Sequence, residues 1–193
     1  AENGNFRALS AWGDADGDGI RNDEERLAGT SPVDPADHPE IGLTREVRDT
    51  VPGTGLSVLR DDTFLPAGPP AVLRLPDFDY RSQGGAYSAR IRGFVVAPVT
   101  GDYVFSIAGG NECELWLSPD ESAFARRVIA SVRLISPWRD HYWNAHQRSA
   151  PIRLEAGRRY YIEALHKAGT EDDFLSVGWT IPGVGQTIIT RDF

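Results

Sequence analysis

Residues 87–107 read YSARIRGFVVAPVTGDYVFSI, and this stretch decides the fold class. Its large apolar side chains recur at every second position, the period of a strand with one buried face. The residues on the apolar face are Tyr87, Ala89, Ile91 and Val95, followed by Tyr103, Phe105 and Ile107. Thr100-Gly101 lies between the two runs and predicts a turn, with Gly101 permitting a tight hairpin. The stretch therefore predicts two antiparallel strands.

The same pattern continues toward the end of the chain, with frequent Gly and Pro breaks and few helical periods. Further strands are predicted at Glu114–Leu117, Arg127–Val132, Ile152–Leu154, Tyr160–Leu165, Leu175–Ile181 and Thr187–Thr190. Many short, alternating strands are typical of two packed antiparallel sheets. We therefore predict an all-β fold, an antiparallel β-sandwich over residues 43–193. The single cysteine, Cys113, lies within an apparent strand and is expected to be buried.

Residues 1–42 form a separate region, an N-terminal arm with a calcium-binding loop, a short helix and a Pro/Asp-rich connector. Residues 14–25 read DADGDGIRNDEE, which matches the calcium-loop pattern at every diagnostic position. Gly19 stands where such a loop turns sharply. The predicted calcium ligands are Asp14, Asp16, Asp18, the carbonyl of Ile20, Asn22 and Glu25. We therefore expect Ca²⁺ as a cofactor that stiffens the arm.

Composition narrows the classes of function. The 193-residue chain carries a formal charge of −8, which argues against nucleic acid and anionic membranes as partners. No apolar run approaches the roughly 18 to 20 residues of a membrane span, so membrane insertion is not expected. The chain has no Met and opens with Ala1-Glu2-Asn3. This is typical of an exported chain whose signal peptide has been removed, and it predicts an extracellular or cell-surface protein.

Several segments together resemble the protective-antigen fourteen-kilodalton (PA-fourteen) domain family, whose fold is a jelly-roll-like β-sandwich. They are GDYVFSIA, ELWLS, APIRLEAGRRYYIEALHKAG and LSVGWTIPG, spread over residues 43–193. The acidic loop with its trailing GTSPVDPAD resembles bacterial thrombospondin type 3 repeats. Both resemblances imply residence outside the cell or at its surface.

The resemblance also implies a second calcium site, at whose ligand positions this chain departs from the family pattern. Sugar-binding members of the family hold calcium with two adjacent aspartates after the strand that corresponds to Tyr103–Ala108. Here those positions read Gly110-Asn111. Gly110 offers no side chain and Asn111 offers a neutral amide oxygen. Asp173, in a later loop, could approach the same end, so Asn111 and Asp173 form the candidate second metal or ligand site.

A loop rich in aromatic and basic residues is the other candidate for binding. Its members are Trp138, Arg139, His141, Tyr142, Trp143 and Asn144. Aromatic faces stack on sugars, and the same side chains anchor protein interfaces. A third interpretation is that these aromatics only cap the edge of the sandwich. His141 and His146 match no zinc-binding spacing and are expected to be surface imidazoles.

No catalytic motif is recognisable, including a Gly-x-Ser-x-Gly elbow or a His-Glu-x-x-His pair, so the protein is not expected to be an enzyme. Two functions remain open. The first is an adhesion or carbohydrate-binding module whose partner is a glycan or a protein at the cell surface. The second is a structural subunit or spacer of an extracellular assembly, in which the N-terminal arm docks on a neighbouring copy.

Overall fold

A computed structural model describes residues 22, 31, 33, 43–49, 55–56, 71–82, 85–169 and 173–190. The chain divides into two compact units, residues 1–41 and residues 42–193. Of the predicted calcium ligands in the arm, only Asn22 lies among the described residues. It has helical backbone geometry and is buried. Asp14, Asp16, Asp18, Ile20 and Glu25 lie outside the described residues.

The described part of residues 42–193 contains eleven β-strands and two short 3-10 helices. The strands are β1 (Leu43–Asp49), β2 (Ala71–Leu75), β3 (Asp79–Ser82), β4 (Tyr87–Val96), β5 (Gly101–Gly109), β6 (Cys113–Leu117), β7 (Arg127–Val132), β8 (Ile152–Leu154), β9 (Arg159–Lys167), β10 (Asp173–Ile181) and β11 (Gly185–Ile188). The 3-10 helices are η1 (Ala123–Ala125) and η2 (Ala145–Gln147). The last predicted strand, Thr187–Thr190, begins two residues earlier, and Thr190 instead forms an isolated bridge with Asp77.

The strands form two sheets in which every pairing is antiparallel. The six-stranded sheet has the order β2-β1-β4-β9-β6-β7. The second sheet has the order β11-β10-β5-β8. The short strand β3 also pairs with β10, over residues Asp173 to Ser176. The predicted all-β antiparallel sandwich is confirmed.

The core is built from the apolar faces that the period-2 pattern identified. Tyr87, Ala89, Ile91 and Val95 on β4 are buried, as are Tyr103, Phe105 and Ile107 on β5. Trp179 on β10 packs with its ring centroid 5.1 Å from that of Tyr103 and 5.8 Å from that of Phe105. Cys113 is also fully buried, as predicted, and burial raises the pKa of its thiol. The thiol is therefore protonated and shielded from solvent.

The predicted hairpin at Thr100-Gly101 is wrong. β4 pairs with β1 and β9, whereas β5 pairs with β10 and β8, so the chain crosses from one sheet to the other at this turn. Alternation along each strand cannot distinguish a hairpin from such a crossing, because both bury one face of each strand. Gly101 instead allows close packing against Pro182, because a Cβ at position 101 would lie 2.5 Å from Cγ of Pro182.

Candidate functional site

The loop between β7 and β8, residues 133–151, is attached to the outer face of the second sheet. Its first anchor is His141, which is buried against the sheet. The Nδ1 atom of His141 lies 3.1 Å from Oγ of Ser106 and 2.6 Å from Nε2 of Gln186, and its Nε2 lies 3.2 Å from Oγ of Ser176. The prediction that His141 is a surface imidazole is therefore wrong. Ser106 and Ser176 alternate with core residues, so they face away from the core and toward the loop.

Burial gives His141 a preferred charge state. Desolvation of the ring is the main cause that lowers the pKa of His141 below its usual value. The ring also lies close to Gly178, where a Cβ would be 3.0 Å from Cε1 of His141. A neutral imidazole with polar partners at both nitrogens therefore holds the loop on the sheet.

The second anchor is Gln147, which is fully buried at the end of η2. Its Nε2 donates to the carbonyl oxygen of Ile107 at 2.9 Å and to that of Asp140 at 2.7 Å. Its Oε1 accepts from the backbone N–H of Asn144 at 2.9 Å, and Oδ1 of Asn144 accepts from the N–H of His146. This reciprocal arrangement is a capping box, which satisfies backbone donors that would otherwise lack partners. The loop is thus tied down on both sides of residues 142–146.

Two aromatic side chains project from the segment between these anchors. Tyr142 is 58% exposed and Trp143 is 62% exposed. The backbone N–H of Tyr142 donates to Oδ1 of Asp140 at 2.9 Å, and the guanidinium carbon of Arg148 lies 4.7 Å from the Tyr142 ring centroid. Their exposure argues against edge capping for these two residues. A rigid backbone that presents exposed aromatic faces is preorganised for binding.

The other predicted loop residues have structural contacts. Trp138 is half-buried, and its ring meets that of Phe174 edge-on at 5.1 Å. The guanidinium of Arg81 lies 5.1 Å and that of Arg139 5.0 Å from the centroid of the Trp138 ring. Arg139 also forms an ion pair with Asp79. Trp138 therefore caps the edge of the sandwich. His141 and Asn144 anchor the loop, and Tyr142 and Trp143 stay exposed.

The second candidate site lies where β5 ends and β10 begins. Gly110 and Asp173 are neighbours there, since a Cβ at position 110 would collide with Oδ1 of Asp173. Asn111 lies next to Gly169, whose added Cβ would be 3.1 Å from Nδ2 of Asn111. We call this region the loop end and define it as residues 109–112, 166–169 and 173. The structure places both sequence-predicted residues, Asn111 and Asp173, in this region.

The donor set of the loop end does not fit calcium. Calcium takes six to eight oxygen ligands, several of them carboxylates. Asp173 is directed inward, and its Oδ1 accepts from the N–H of Phe174 at 2.7 Å and lies 3.3 Å from Nε2 of His166. Within the described parts of the chain, no group of three or more His, Cys, Asp or Glu residues could hold a metal ion. An aspartate at position 110, as in the sugar-binding members of the family, would collide with Oδ1 of Asp173.

Sequence reasoning did not identify the residues that anchor the β7–β8 loop to the sheet, nor the buried lysine of the loop end. The ring of His141 has hydrogen-bonding contacts with Ser106, Ser176 and Gln186. At the loop end, the side chain of Lys167 is buried. A weak signal was present, because a serine interrupts each of the apolar strands β5 and β10. A serine on the outer face of a sheet is ordinary in isolation, and its partner lies far away in the sequence.

The two sheets, their order and the loops at their ends define an antiparallel β-sandwich domain. The chain belongs to the PA14 domain family, because the model of that family matches residues 77–192. This confirms the resemblance inferred for the sandwich. The thrombospondin-like repeat in residues 1–42 stays a prediction.

Two curated animal proteins contain a similar stretch. Mouse N-acetyl-beta-glucosaminyl-glycoprotein 4-beta-N-acetylgalactosaminyltransferase 1 is 40% identical over 110 residues, which is 53% of this chain and 11% of that protein. Dog fibrocystin is 30% identical over 161 residues, which is 77% of this chain and 4% of fibrocystin. The chain thus spans a small fraction of the length of these relatives.

Solved structures with the same fold include two adhesin domains. The PA14 sugar-binding domain from an RTX adhesin superposes with a TM-score of 0.57 at 12% identity, covering 78% of this chain and 96% of that one. The epithelial adhesin 6 A domain from Candida glabrata, solved in complex with Galβ1-3GlcNAc, has a TM-score of 0.53 at 13% identity, covering 78% and 84%. At these identities the likeness establishes the fold. None of the helices in the described ranges has the length and apolar character of a membrane span.

Proposed function

We propose that this chain is a non-enzymatic carbohydrate-binding adhesion module that contacts its glycan through Tyr142 and Trp143. The observation that carries the proposal is the position of these two exposed rings between the buried anchors His141 and Gln147. Stacking on a sugar ring requires a flat apolar face that stays exposed without a ligand. The anchored backbone lowers the entropic cost of ordering that face on binding.

The neighbouring hydrogen-bonding groups support a sugar as the partner. Arg148 is exposed and lies over the Tyr142 ring, so its remaining N–H groups can donate to sugar hydroxyls. The two adhesin domains with this fold also support the assignment, since one is named as sugar-binding and the other was solved with a disaccharide.

The proposal extends to location and to calcium. An adhesion module acts outside the cell or at its surface, and the solved adhesin domains with this fold support that location. Calcium bound by the loop at residues 14–25 would stiffen the arm. The match to the mouse transferase covers 11% of that protein and therefore supports no transferase activity for this chain.

The alternative, a structural subunit in which the arm docks on a second copy, rests on residues outside the described ranges. The apolar residues Phe6, Leu9 and Trp12 of the arm suggest it, because such side chains are expected to pack against a partner. Light scattering with and without calcium tests it, since a strictly monomeric chain in both conditions contradicts self-assembly.

A glycan array probed with the full chain, with and without millimolar calcium, tests the principal proposal. We expect binding to a subset of glycans, and a loss of at least about tenfold for Tyr142→Ala combined with Trp143→Ala, because each buried aromatic contact contributes on the order of 1 kcal/mol or more. Phe124→Ala is the matched control, since Phe124 is 91% exposed on η1 outside the loop.

Two results would contradict the proposal. One is an array without binding across plant, microbial and animal glycans, which would favour a protein partner for the same rings. The other is binding that the Tyr142→Ala/Trp143→Ala protein retains in full.

A further inference from the structure

We propose that the guanidinium of Arg45 anchors a second ligand site, which binds a monocarboxylate with an apolar body. The site lies on β1, between the neighbouring strands β2 and β4 of the six-stranded sheet. It uses no residue of the β7–β8 loop, so the inference is independent of the proposed glycan contact.

Arg45 occupies a core-facing position of its strand. It lies directly opposite Ile91 on β4 and opposite Leu73 on β2. Residues that lie directly opposite each other in antiparallel strands project their side chains from the same face of the sheet. Ile91 is fully buried in the core, so Arg45 and Leu73 also project from the inner face. The chain thus has a charged side chain at a position where its neighbours are apolar, and such a side chain requires partners.

Two tyrosine rings hold the guanidinium in place. Its central carbon lies 4.1 Å from the ring centroid of Tyr80 on β3 and 5.1 Å from that of Tyr87 on β4, both within the range of cation–π contacts. The hydroxyl of Tyr80 lies 2.7 Å from Nδ1 of the fully buried His166. The rings of Tyr80 and Tyr87 also meet the His166 ring edge-on, with centroids 6.0 and 5.9 Å away. The position of the guanidinium is therefore preorganised.

These contacts leave the N–H groups of Arg45 without acceptors. A ring face attracts the charge of a guanidinium but does not satisfy its N–H donors. Nε of Arg45 is buried without a hydrogen-bond partner, and no carboxylate of the described residues forms an ion pair with this side chain. Nearby arginines are paired, since Arg74 donates to Oγ1 of Thr44 and Arg92 donates to Oε1 of Glu46. A buried N–H without an acceptor is costly, and a bound oxyanion would remove that cost.

The charge of the site favours a carboxylate as the ligand. Nε–H and an adjacent Nη–H of a guanidinium can donate in parallel to the two oxygens of one carboxylate. Arg74 and Arg92 lie opposite Thr44 in register, so all three project from the other face of the sheet. These two arginines therefore add no second positive charge beside Arg45, and a singly charged ligand is matched better than a phosphate dianion.

Leu73 supplies a contact for the apolar body of the ligand. It projects from the inner face beside Arg45, yet it is 47% exposed, so the second sheet does not cover it. This opening arises because β2 is the edge strand of the six-stranded sheet. Hydrocarbon attached to the bound carboxylate would cover Leu73 and gain hydrophobic stabilisation. An inorganic anion would lack this contact.

Titration of the full chain with benzoate, followed by nuclear magnetic resonance, tests the site. The readout is the Nε–Hε signal of Arg45, whose burial slows its exchange with water. We expect benzoate to shift this signal saturably, and we expect no shift from benzamide, which has the same ring without the charge. The absence of a saturable shift up to about 20 mM benzoate would overturn the proposal.

Arg45→Gln is the first variant, with the backbone amide signals of β1 and β2 as the readout. It should lower the affinity for benzoate at least about tenfold, because the charge-assisted hydrogen bonds are lost. Arg74→Gln is the matched control, since this arginine lies on the adjacent strand and projects from the opposite face. It should bind benzoate as the parent protein does. Equal affinities of the Arg45→Gln and parent proteins would contradict the proposal.

A second variant keeps the proposal testable if the Arg45→Gln protein does not fold. Leu73→Glu places a carboxylate directly opposite Arg45, and Leu73→Gln is its neutral control. We expect Leu73→Glu to shift the Arg45 Nε–Hε signal without any ligand and to abolish benzoate binding, whereas the Leu73→Gln protein should still bind. Benzoate binding that Leu73→Glu leaves intact would reject Arg45 as the anchor.

Discussion

Gln147 donates from its side-chain amide to the carbonyl oxygen of Ile107, 2.9 Å away and 40 positions earlier in the chain. Ile107 lies on β5 with its side chain in the core, so this bond joins the β7–β8 loop to the backbone of a central strand. Together with His141 it fixes the segment that carries Tyr142 and Trp143. The exposed rings are therefore positioned by residues that a ligand would not touch.

Replacing this anchor should loosen the loop. Gln147→Leu keeps the volume and removes the side-chain donors, which leaves the carbonyl groups of Ile107 and Asp140 without that partner. We expect a loss of about 1 to 3 kcal/mol in the free energy of unfolding, measured by urea denaturation, and weaker glycan binding. His146→Ala is the control, since His146 is exposed and should change stability by about 0.5 kcal/mol or less. Unchanged stability of the Gln147→Leu protein would contradict the anchoring role.

His141 should make the stability of the domain depend on pH. Burial lowers its pKa in the folded protein below the 6.5 of an unperturbed histidine, so the unfolded chain binds a proton at higher pH than the folded one. The stabilisation is fully present above pH 6.5 and decreases as the pH falls toward the folded pKa. Chemical denaturation between pH 7.5 and pH 5 measures this slope, which His141→Gln should reduce. His146→Gln should leave it in place, and an equal effect of both substitutions would contradict the assignment.

Gly110 should tolerate no side chain. An added Cβ collides with Oδ1 of Asp173, and both this oxygen and the backbone of Phe174 are held in the interior. We expect Gly110→Ala to destabilise the domain by about 1 to 3 kcal/mol, the usual range for overpacking. Thermal unfolding measures the effect. In an Asp173→Ala background the same substitution should cost less, because the colliding carboxylate is gone, and equal costs in the two backgrounds would refute the steric explanation.

Calcium binding by the arm remains a prediction from the sequence. We expect calorimetric titration of the full chain to show calcium binding, and Asp16→Ala to weaken it strongly, because loop position 3 supplies a carboxylate ligand. Asp102→Asn, an exposed acidic residue of the sandwich, is the control and should leave the titration unchanged. No heat of binding in the parent protein, or an unchanged affinity after Asp16→Ala, would reject the arm site.

The sequence was sufficient for the local parts of the fold. Alternation over residues 87–107 identified two strands and the residues that bury them, because side chains on a strand change sides at every residue. It failed at Thr100-Gly101, where the chain changes sheets, since the pairing partner of a strand is a long-range property. It also placed His141 at the surface, because the serines and the glutamine that receive this ring come from β5, β10 and β11.

By itself, the sequence determined the all-β class, the core-facing residues and the region that departs from the family at Gly110-Asn111. Those features depend on residue type and short spacing. Only the tertiary structure decided which aromatics of the β7–β8 loop stay exposed and which are packed, and it alone brought Gly110 against the side chain of Asp173. The physical reason is that exposure and close packing depend on neighbours from distant strands, which no local pattern in the sequence encodes.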